Sequence, residues 1–339
     1  MLRRLFIKLL LVTSPVWLVL AFYAWTDPFG VVHHYDSYYQ PHDSSLVVSR
    51  NVDFVSTETF IRNYPRYHYD SYIFGGSRSG FFQVAYWQQF LLQGASTFHF
   101  NASEESLLGV AGKVAYIDKL HAPLRNALFV MDHQLLAGIT NPSASLTIKH
   151  PAISGDSWLS FHLAFVKAFF DRRFIVSWCD YKITGRTKPY MLKQGALRRS
   201  YIIYDDRHNE MTMQSLADSL NKDTARYYKV RARFFTRRPE KERIGRPVIG
   251  AKQEAMLQDI AAVLQQNKTS FRIVINPLYD QVKLAPQDLA VLYRIFGKEN
   301  VYDFSGKNDI TESKYNYYEY SHYLPSVANR IMDSIYTKR

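Results

Sequence analysis

The sequence has little cysteine and none of the spacings that mark common metal and phosphate sites. Its single cysteine, Cys179, excludes an internal disulfide, and the apolar run before it predicts a buried structural thiol. No cysteine–histidine pattern fits a zinc site, since His33 and His34 are adjacent rather than one helical turn apart. The glycine-rich stretch 75–80 has no lysine, which argues against a phosphate-binding loop. We therefore expect neither a metal nor another cofactor.

Long apolar runs are also scarce, and the one that could span a membrane is an uncharged run near the N-terminus. It covers 17 residues, 9–25, which is close to the minimum that spans a bilayer. Arg3, Arg4 and Lys8 precede it, so the positive-inside rule predicts a cytoplasmic N-terminus. We predict that residues 1–26 form an uncleaved transmembrane signal anchor in the bacterial cytoplasmic (inner) membrane, with the main domain periplasmic or extracellular. A cleaved signal peptide is the alternative.

The remaining chain has ample material for a core. Hydrophobic residues make up 47% of the sequence and aromatic residues 15%, which excludes a disordered chain. Residues 27–70 are polar, aromatic and irregular, and we interpret them as a collar that leads to a domain over 71–339. In this domain strands are predicted over 72–74, 97–101, 127–131, 271–275 and 301–304, and helices over 81–92, 104–120, 253–266, 286–296 and 326–336. The alternation predicts an α/β fold, a doubly wound parallel sheet flanked by helices.

A strongly basic segment interrupts this alternation. Residues 182–252 contain 18 lysines and arginines against 7 acidic residues, a net charge of +11 out of the chain's +12. We interpret the segment as an insertion. Such charge is typical of a solvated face, or of a surface that binds anionic lipid headgroups or an acidic glycan. We expect no nucleic-acid partner, because an exported domain rarely meets nucleic acid.

The first candidate for chemistry is a serine directly after a predicted strand. Residues 72–74 are apolar, Gly75 and Gly76 end the strand, and Ser77 follows. A strand that stops on two glycines can turn sharply and present the next side chain at the sheet edge, where open α/β sheets place their ligands. Ser77 is therefore a candidate nucleophile. The alternative is an ordinary glycine turn with exposed serines.

A serine needs a base to take its proton, and a candidate lies near the C-terminus. Glu319 and His322 are three residues apart in a stretch without helical pattern. A histidine suits the role of base because its pKa lies near neutrality, and a carboxylate can hold its tautomer. The spacing alone has low specificity, since a glutamate and a histidine three residues apart are common in solvated loops.

Taken in order, these motifs resemble the SGNH (GDSL-like) hydrolase superfamily. In that superfamily the serine follows the first strand in a Gly-Asp-Ser block, and an Asp-x-x-His block lies near the C-terminus. Here Gly76 replaces the first aspartate and Glu319 the second. The similarity is greatest to the membrane-anchored exported branch, which includes teichoic-acid D-alanylation and alginate O-acetylation proteins, and further cues are Asp27-Pro28-Phe29-Gly30, Asn276-Pro277 and Tyr317-Tyr318. The basic insertion lies outside the resemblance.

The resemblance implies a function. Ser77 would attack an acyl carbonyl, His322 would act as general base and then general acid, and Glu319 would orient His322. The implied protein is a serine O-acyltransferase or esterase that acts on a cell-envelope glycan or exopolysaccharide through an acyl-serine intermediate. In this branch a membrane-bound O-acyltransferase often supplies the acyl group, so such a protein is an expected partner beside the lipid bilayer.

The chain departs from the family at the oxyanion hole. The glycine of the second block and the asparagine of the third are absent, from the segments 100–103 and 130–133 respectively. Possible replacements are the side chains of Asn101, His133 or Arg78, or the backbone N–H of Ala102 or Ser103.

Two of these residues also have other predicted roles. Arg78 would instead bind an anionic substrate or form a structural ion pair, and Asp132 would join the site or orient a neighbouring loop. The departures from the family pattern leave a second hypothesis open, a catalytically inactive SGNH-like module that binds glycan or scaffolds an envelope-assembly complex.

Overall fold

The computed structural model describes residues 2–39, 46–193, 197–199, 203–235, 238 and 240–337. The strands in these ranges are β1 (Leu46–Val48), β2 (Ser71–Gly75), β3 (Thr97–Asn101), β4 (Asn126–Met131), β5 (Leu197–Arg199), β6 (Ile203–Asp205), β7 (Glu210–Thr212), β8 (Arg243–Ile244), β9 (Ser270–Ile275), β10 (Val282–Lys283), β11 (Val301–Asp303), β12 (Tyr317–Glu319) and β13 (His322–Tyr323).

The α-helices are α1 (Leu2–Thr26), α2 (Val52–Tyr67), α3 (Val84–Gln88), α4 (Leu107–Lys119), α5 (His133–Ala137), α6 (Pro151–Ser154), α7 (Trp158–Phe169), α8 (Arg172–Thr184), α9 (Gln214–Lys222), α10 (Thr224–Val230), α11 (Ala251–Gln266), α12 (Pro286–Phe296), α13 (Asp309–Glu312) and α14 (Pro325–Tyr336). Short 3-10 helices cover Ser77–Phe81, Met191–Lys193, Ala232–Phe234, Lys298–Asn300 and Lys314–Asn316.

The centre of the molecule is a five-stranded parallel sheet with the strand order β11-β9-β4-β2-β3. The predicted α/β fold with a parallel sheet flanked by helices is confirmed. The strand order reverses between β2 and β4, as in flavodoxin-like doubly wound sheets. Ligands of such sheets bind outside the carboxyl ends of the strands at this point. Ser77 follows β2 directly and therefore lies at this position.

Both faces of the sheet are covered, which explains why its strands are apolar runs. On one face Phe74 of β2 stacks on Phe129 of β4 with ring centroids 5.0 Å apart, among helices α2, α4, α11 and α12. On the other face Ile73 and Val130 pack beneath α14 and the segment after Ser77. The two buried faces hold the carboxyl ends of β2 and β4 in a fixed position.

One predicted helix is replaced by two shorter elements. A helix was expected over 81–92, but a 3-10 helix ends at Phe81 and α3 begins only at Val84. Gln83 has an extended backbone, with φ −67° and ψ 131°. This break allows the adjacent side chains of Phe81 and Phe82 to be buried together.

The expectation of an irregular collar over 27–70 is wrong for part of that range, because α2 occupies Val52–Tyr67. The Asn51 side chain caps the helix by accepting a hydrogen bond from the Phe54 N–H. Phe60 is fully buried, as expected of a helix within the domain. The helical pattern is hidden in the sequence because its buried face also carries polar residues, among them Asp53 and Glu58.

The predicted transmembrane anchor coincides with α1. Within the described ranges, no helix combines the length and the apolar character needed to cross a bilayer. The C-terminal end of α1 contacts the domain, since the buried Tyr23 ring lies 5.2 Å from the ring of Phe169 in α7. Cys179 in α8 is half-buried rather than fully buried.

Candidate active site

The turn that carries Ser77 depends on Gly75. A Cβ atom at Gly75 would lie 2.7 Å from the Val130 carbonyl oxygen and 2.8 Å from the Ser79 Cβ, which leaves no room for a side chain. At Gly76 the nearest atom to such a Cβ would be 3.5 Å away, an ordinary contact. Only a glycine therefore fits at position 75 beside β4 and Ser79, and the turn that follows leaves Ser77 exposed at the sheet edge.

The three residues expected to form a catalytic group lie together in the structure. The imidazole Nε2 of His322 is 2.9 Å from the Oγ of Ser77, and its Nδ1 is hydrogen-bonded to the Glu319 carboxylate. Glu319 and His322 face each other across the antiparallel hairpin of β12 and β13. The hairpin places both side chains over the Ser77 turn, although more than 200 residues of chain separate them from Ser77. This is the geometry of a nucleophile, a base and an orienting carboxylate.

Glu319 is held in its ionised form. Burial raises the pKa of its carboxyl, but hydrogen bonds from His322 and from the Ser321 N–H outweigh that effect and hold the pKa below its usual range. An ionised carboxylate accepts the Nδ1–H of the imidazole, which leaves Nε2 without a proton. Nε2 is then able to accept the hydroxyl proton of Ser77.

Arg78 and Asp132 secure the hairpin and do not enter the pocket beside Ser77. The Arg78 guanidinium pairs with Asp132 at 2.7 Å and donates from Nε to the Ser321 carbonyl oxygen at 2.9 Å. The other oxygen of Asp132 caps α5 by accepting N–H bonds from Gln134 and Leu135. The structural ion pair predicted as one role of Arg78 is confirmed, and Arg78 does not line the cavity beside Ser77. Asp132 orients the neighbouring hairpin loop.

A second set of contacts joins the hairpin to the sheet. The Tyr323 hydroxyl lies 2.9 Å from the Asn276 Oδ1 and 3.2 Å from the Arg78 carbonyl oxygen. The ring of Phe81 packs against the His322 imidazole with centroids 5.7 Å apart. These contacts restrict the rotation and translation of His322 relative to Ser77.

A cavity of about 290 Å³ opens beside Ser77. Its apolar walls are formed by Val52, Phe81, Leu146, Met211 and Met213. A pocket of this size with apolar walls and a few polar groups is typical of a site for a small organic ligand. The cavity provides a place for an acyl chain next to the Ser77 hydroxyl.

The same cavity contains candidates for the oxyanion hole. Asn101 and Ser103 line it together with Ser77. The Asn101 Oδ1 accepts a hydrogen bond from Asn209 at 3.3 Å, and its Nδ2 donates to no other residue in the described part of the chain. The Ala102 N–H instead donates to the Gly75 carbonyl oxygen at 3.2 Å and is not available. His133 lies by Asp132, around a different and much smaller cavity.

Sequence reasoning missed a buried serine–histidine pair under the Ser77 turn. The Ser79 hydroxyl donates to the Gly76 carbonyl oxygen at 2.7 Å and lies 2.8 Å from the Nε2 of His99. Both residues are fully buried. Burial, with a contribution from the nearby Lys113 charge, lowers the pKa of His99 to about 3, so the imidazole is neutral. Ser79 cannot meet a substrate, and the pair supports the turn.

A buried cluster of charges behind the cavity was also missed. Lys113 and Lys149 form ion pairs with Asp53 and Glu105, and all four side chains are at most 1% exposed. Lys113 also donates to the Asn101 carbonyl oxygen at 3.1 Å. The cluster is neutral overall and fixes the segment that carries Asn101. The only sequence signal is Lys113 itself, which lies among the apolar residues of a helical stripe.

The basic insertion contributes to the site. Met211 and Met213 line the cavity, and the Asn209 side chain bonds to Asn101. The hydroxyls of Tyr227 and Tyr228 donate to backbone carbonyls of the strand β12, at 3.0 Å in each case. The described residues of this segment lie outside the central sheet, as expected of an insertion, but they build part of the cavity and support the β12–β13 hairpin.

No protein-family model matches this chain, and no curated protein matches it. The geometry of the site is therefore the main evidence for what this protein does.

Proposed function

We propose that this protein is a serine-dependent acyltransferase or esterase of the SGNH-like type. The observation that carries the proposal is the hydrogen-bonded chain from the Ser77 Oγ through His322 to Glu319, at the carboxyl end of β2 and beside an apolar cavity. The exposure of Ser77 supports it, since a nucleophile must reach the carbonyl carbon of its substrate.

The proposed reaction has two halves. His322 Nε2 takes the proton of Ser77 as Oγ attacks the ester carbonyl carbon, and the resulting tetrahedral intermediate collapses when Nε2 gives that proton to the leaving alcohol. The acyl group is then bound to Ser77. Water or a sugar hydroxyl then attacks the acyl carbonyl carbon while His322 Nε2 takes its proton. The second intermediate collapses when Nε2 gives that proton to the Ser77 Oγ, which breaks the acyl–serine bond and releases the acid or the new ester. Glu319 stabilises the imidazolium in both halves.

The oxyanion would be stabilised from the wall formed by Asn101 and Ser103. An amide N–H of Asn101 and the backbone N–H of Ser103 are the donors we assign. One donor of this kind is worth about 2.7–4 kcal/mol of transition-state stabilisation. Asn101 then replaces the asparagine that the SGNH pattern has in another block.

The substrate class and the location that we propose rest on the sequence alone. The resemblance to the exported SGNH branch and the N-terminal apolar run motivate a cell-envelope glycan or exopolysaccharide as acceptor, at the inner membrane. A membrane-bound O-acyltransferase is the proposed source of acyl groups.

The test is labelling with a fluorophosphonate probe, which reacts with activated serines. We expect the wild type to be labelled and the Ser77→Ala and His322→Ala variants to remain unlabelled. Ser219→Ala is the control, because Ser219 is an exposed serine on the surface of α9. A folded wild-type protein that is not labelled would favour the alternative of an inactive glycan-binding or scaffold module, which the missing oxyanion residues of the family pattern motivate.

A further inference from the structure

The cavity beside Ser77 contains an arginine that the proposed reaction does not use. Arg50 lines the same cavity as Ser77, together with the apolar side chains of Val52 and Leu146. Arg50 is half-buried, and a half-buried guanidinium is costly unless it has a partner, because a protein interior solvates a charge poorly. Its position therefore requires an explanation.

Two features of the turn after α1 hold Arg50 in place. Its Nη1 donates to the Pro28 carbonyl oxygen at 3.3 Å. A Cβ atom at Gly30 would lie 2.3 Å from the same Nη1, so the absence of a side chain at Gly30 leaves space for the guanidinium. The arginine is seated by the turn after α1 while it lines the cavity.

The described residues provide no carboxylate within ion-pair distance of Arg50, although the more distant Asp27 charge partly offsets the burial that lowers the pKa of Arg50. The nearby Asp27 carboxylate is occupied by other donors, namely the N–H groups of Val31, Val32 and His33 at 2.9–3.0 Å and the Tyr35 hydroxyl at 3.0 Å. The Glu104 side chain also lines the cavity but is exposed to solvent. Water therefore screens its charge.

We propose that Arg50 is an anion subsite that binds a carboxylate or phosphate group on the ester attacked by Ser77. This inference rests on the proposed function, because it assigns a substrate class to the same site. The substrate would be an ester in which an apolar spacer separates one anionic group from the reacting carbonyl. A guanidinium suits the role, since its planar N–H groups match the oxygens of both anions.

The anion would belong either to the acyl chain or to the alcohol half of the ester. Three sets of nitrophenyl esters separate these sources. The first set is neutral, p-nitrophenyl butyrate and valerate. The second carries the anion on the acyl side, the mono-p-nitrophenyl esters of succinate, glutarate and adipate. The third carries it on the leaving group, 3-carboxy-4-nitrophenyl butyrate.

We expect one anionic set to have a kcat/KM about 10-fold or more above the neutral set in the wild type, the effect of one charge-assisted hydrogen-bonded pair. In Arg50→Gln the ratio of anionic to neutral kcat/KM should fall to about one, and Arg50→Lys should keep part of it. The control is Arg330→Gln, which removes a charge from an exposed ion pair with Asp309 and should keep the wild-type ratio.

A binding measurement requires no turnover, and it can be made even if the Arg50 variants do not fold. Calorimetry on Ser77→Ala should detect adipate or inorganic phosphate, with competition between the anion and the preferred ester. Fluorophosphonate labelling without any anionic preference in the wild type would overturn the Arg50 subsite and leave the proposed reaction intact. If Ser77→Ala binds the anion but the wild type is not labelled, the proposed reaction is overturned and Arg50 remains an anion-binding site.

Discussion

The serines Ser77 and Ser79 lie in one short turn and each is paired with a histidine, but the two pairs differ in almost every physical respect. Ser77 is exposed and its histidine is in turn bound to a carboxylate, whereas Ser79 and His99 are fully buried and the Nδ1 of His99 has no partner in the described part of the chain. The distances between hydroxyl and imidazole are nearly equal, 2.9 Å and 2.8 Å. Proximity alone therefore does not make a nucleophile. Access for a substrate and a carboxylate that can stabilise an imidazolium distinguish the pair that we propose to be reactive from the structural pair.

The largest expected effect comes from disrupting the carboxylate of the exposed pair. Glu319→Gln keeps the size of the side chain but removes the charge that holds the Nδ1–H tautomer of His322. We expect kcat to fall by about 10⁴-fold, as in other triads that lose this charge, with an unchanged unfolding midpoint. Steady-state hydrolysis of a nitrophenyl ester measures it. A fall of less than 10-fold would show that Glu319 is not the orienting group.

A smaller loss is expected from the oxyanion wall. Asn101→Ala removes the proposed amide donor, and kcat should decrease by about 10²–10³-fold. Because Asn101 also accepts a bond from Asn209, the free energy of unfolding is measured alongside. Asn209→Ala is the matched control, since it removes that structural bond and leaves the donor in place. Equal losses of kcat in both variants would contradict the role of Asn101.

The buried pair of Ser79 and His99 should make the free energy of unfolding depend on pH. The folded pKa of His99, about 3, lies below the ordinary value of 6.5, so the unfolded chain binds an extra proton in this range. Stability from the neutral imidazole is complete above pH 6.5 and is lost as the pH falls towards 3. Between pH 6.5 and 4.5 the loss should be about 2 kcal/mol, and His99→Gln should remove it. Urea denaturation at both pH values tests this, and an identical pH slope in the variant would refute it.

The smallest effect compares the two glycines of the turn. Gly75→Ala forces a methyl group against the Val130 carbonyl and should cost about 1–3 kcal/mol of unfolding free energy. Gly76→Ala should change it by less than about 0.5 kcal/mol, because its Cβ would meet only ordinary contacts. Thermal or urea unfolding distinguishes the two. Equal destabilisation by both substitutions would mean that the turn is not limited by its approach to β4.

Much of the central sheet could be predicted because its strands are short apolar runs between helical patterns. The segment 97–101 was predicted with its observed bounds, and α12 begins and ends at the expected residues. The helix α2 could not be predicted in the same way, because its buried face contains charged and hydroxyl side chains as well as apolar ones. Their burial depends on partners elsewhere, such as Lys113 for Asp53.

The site shows the same division. Ser77, Glu319 and His322 could be proposed from motif order, because a strand that ends on glycine and a late histidine are local features. The environment of Arg78 could not be decided, since its partner Asp132 comes from a different strand end. The sequence did not indicate that Met211 and Met213 belong to the site, because no local pattern shows which apolar residues of a basic segment will line a cavity.

The amino-acid sequence by itself determined the alternation of strands and helices, the sharp turn at Gly75 and the set of side chains able to perform serine chemistry, since these depend on backbone sterics and local periodicity. Only the tertiary structure decided which serine is exposed, which histidine stays neutral in the core and which arginine lines the cavity. Those properties depend on burial and on charges brought together from distant segments, and the free energy of a buried group is determined by its neighbours in space.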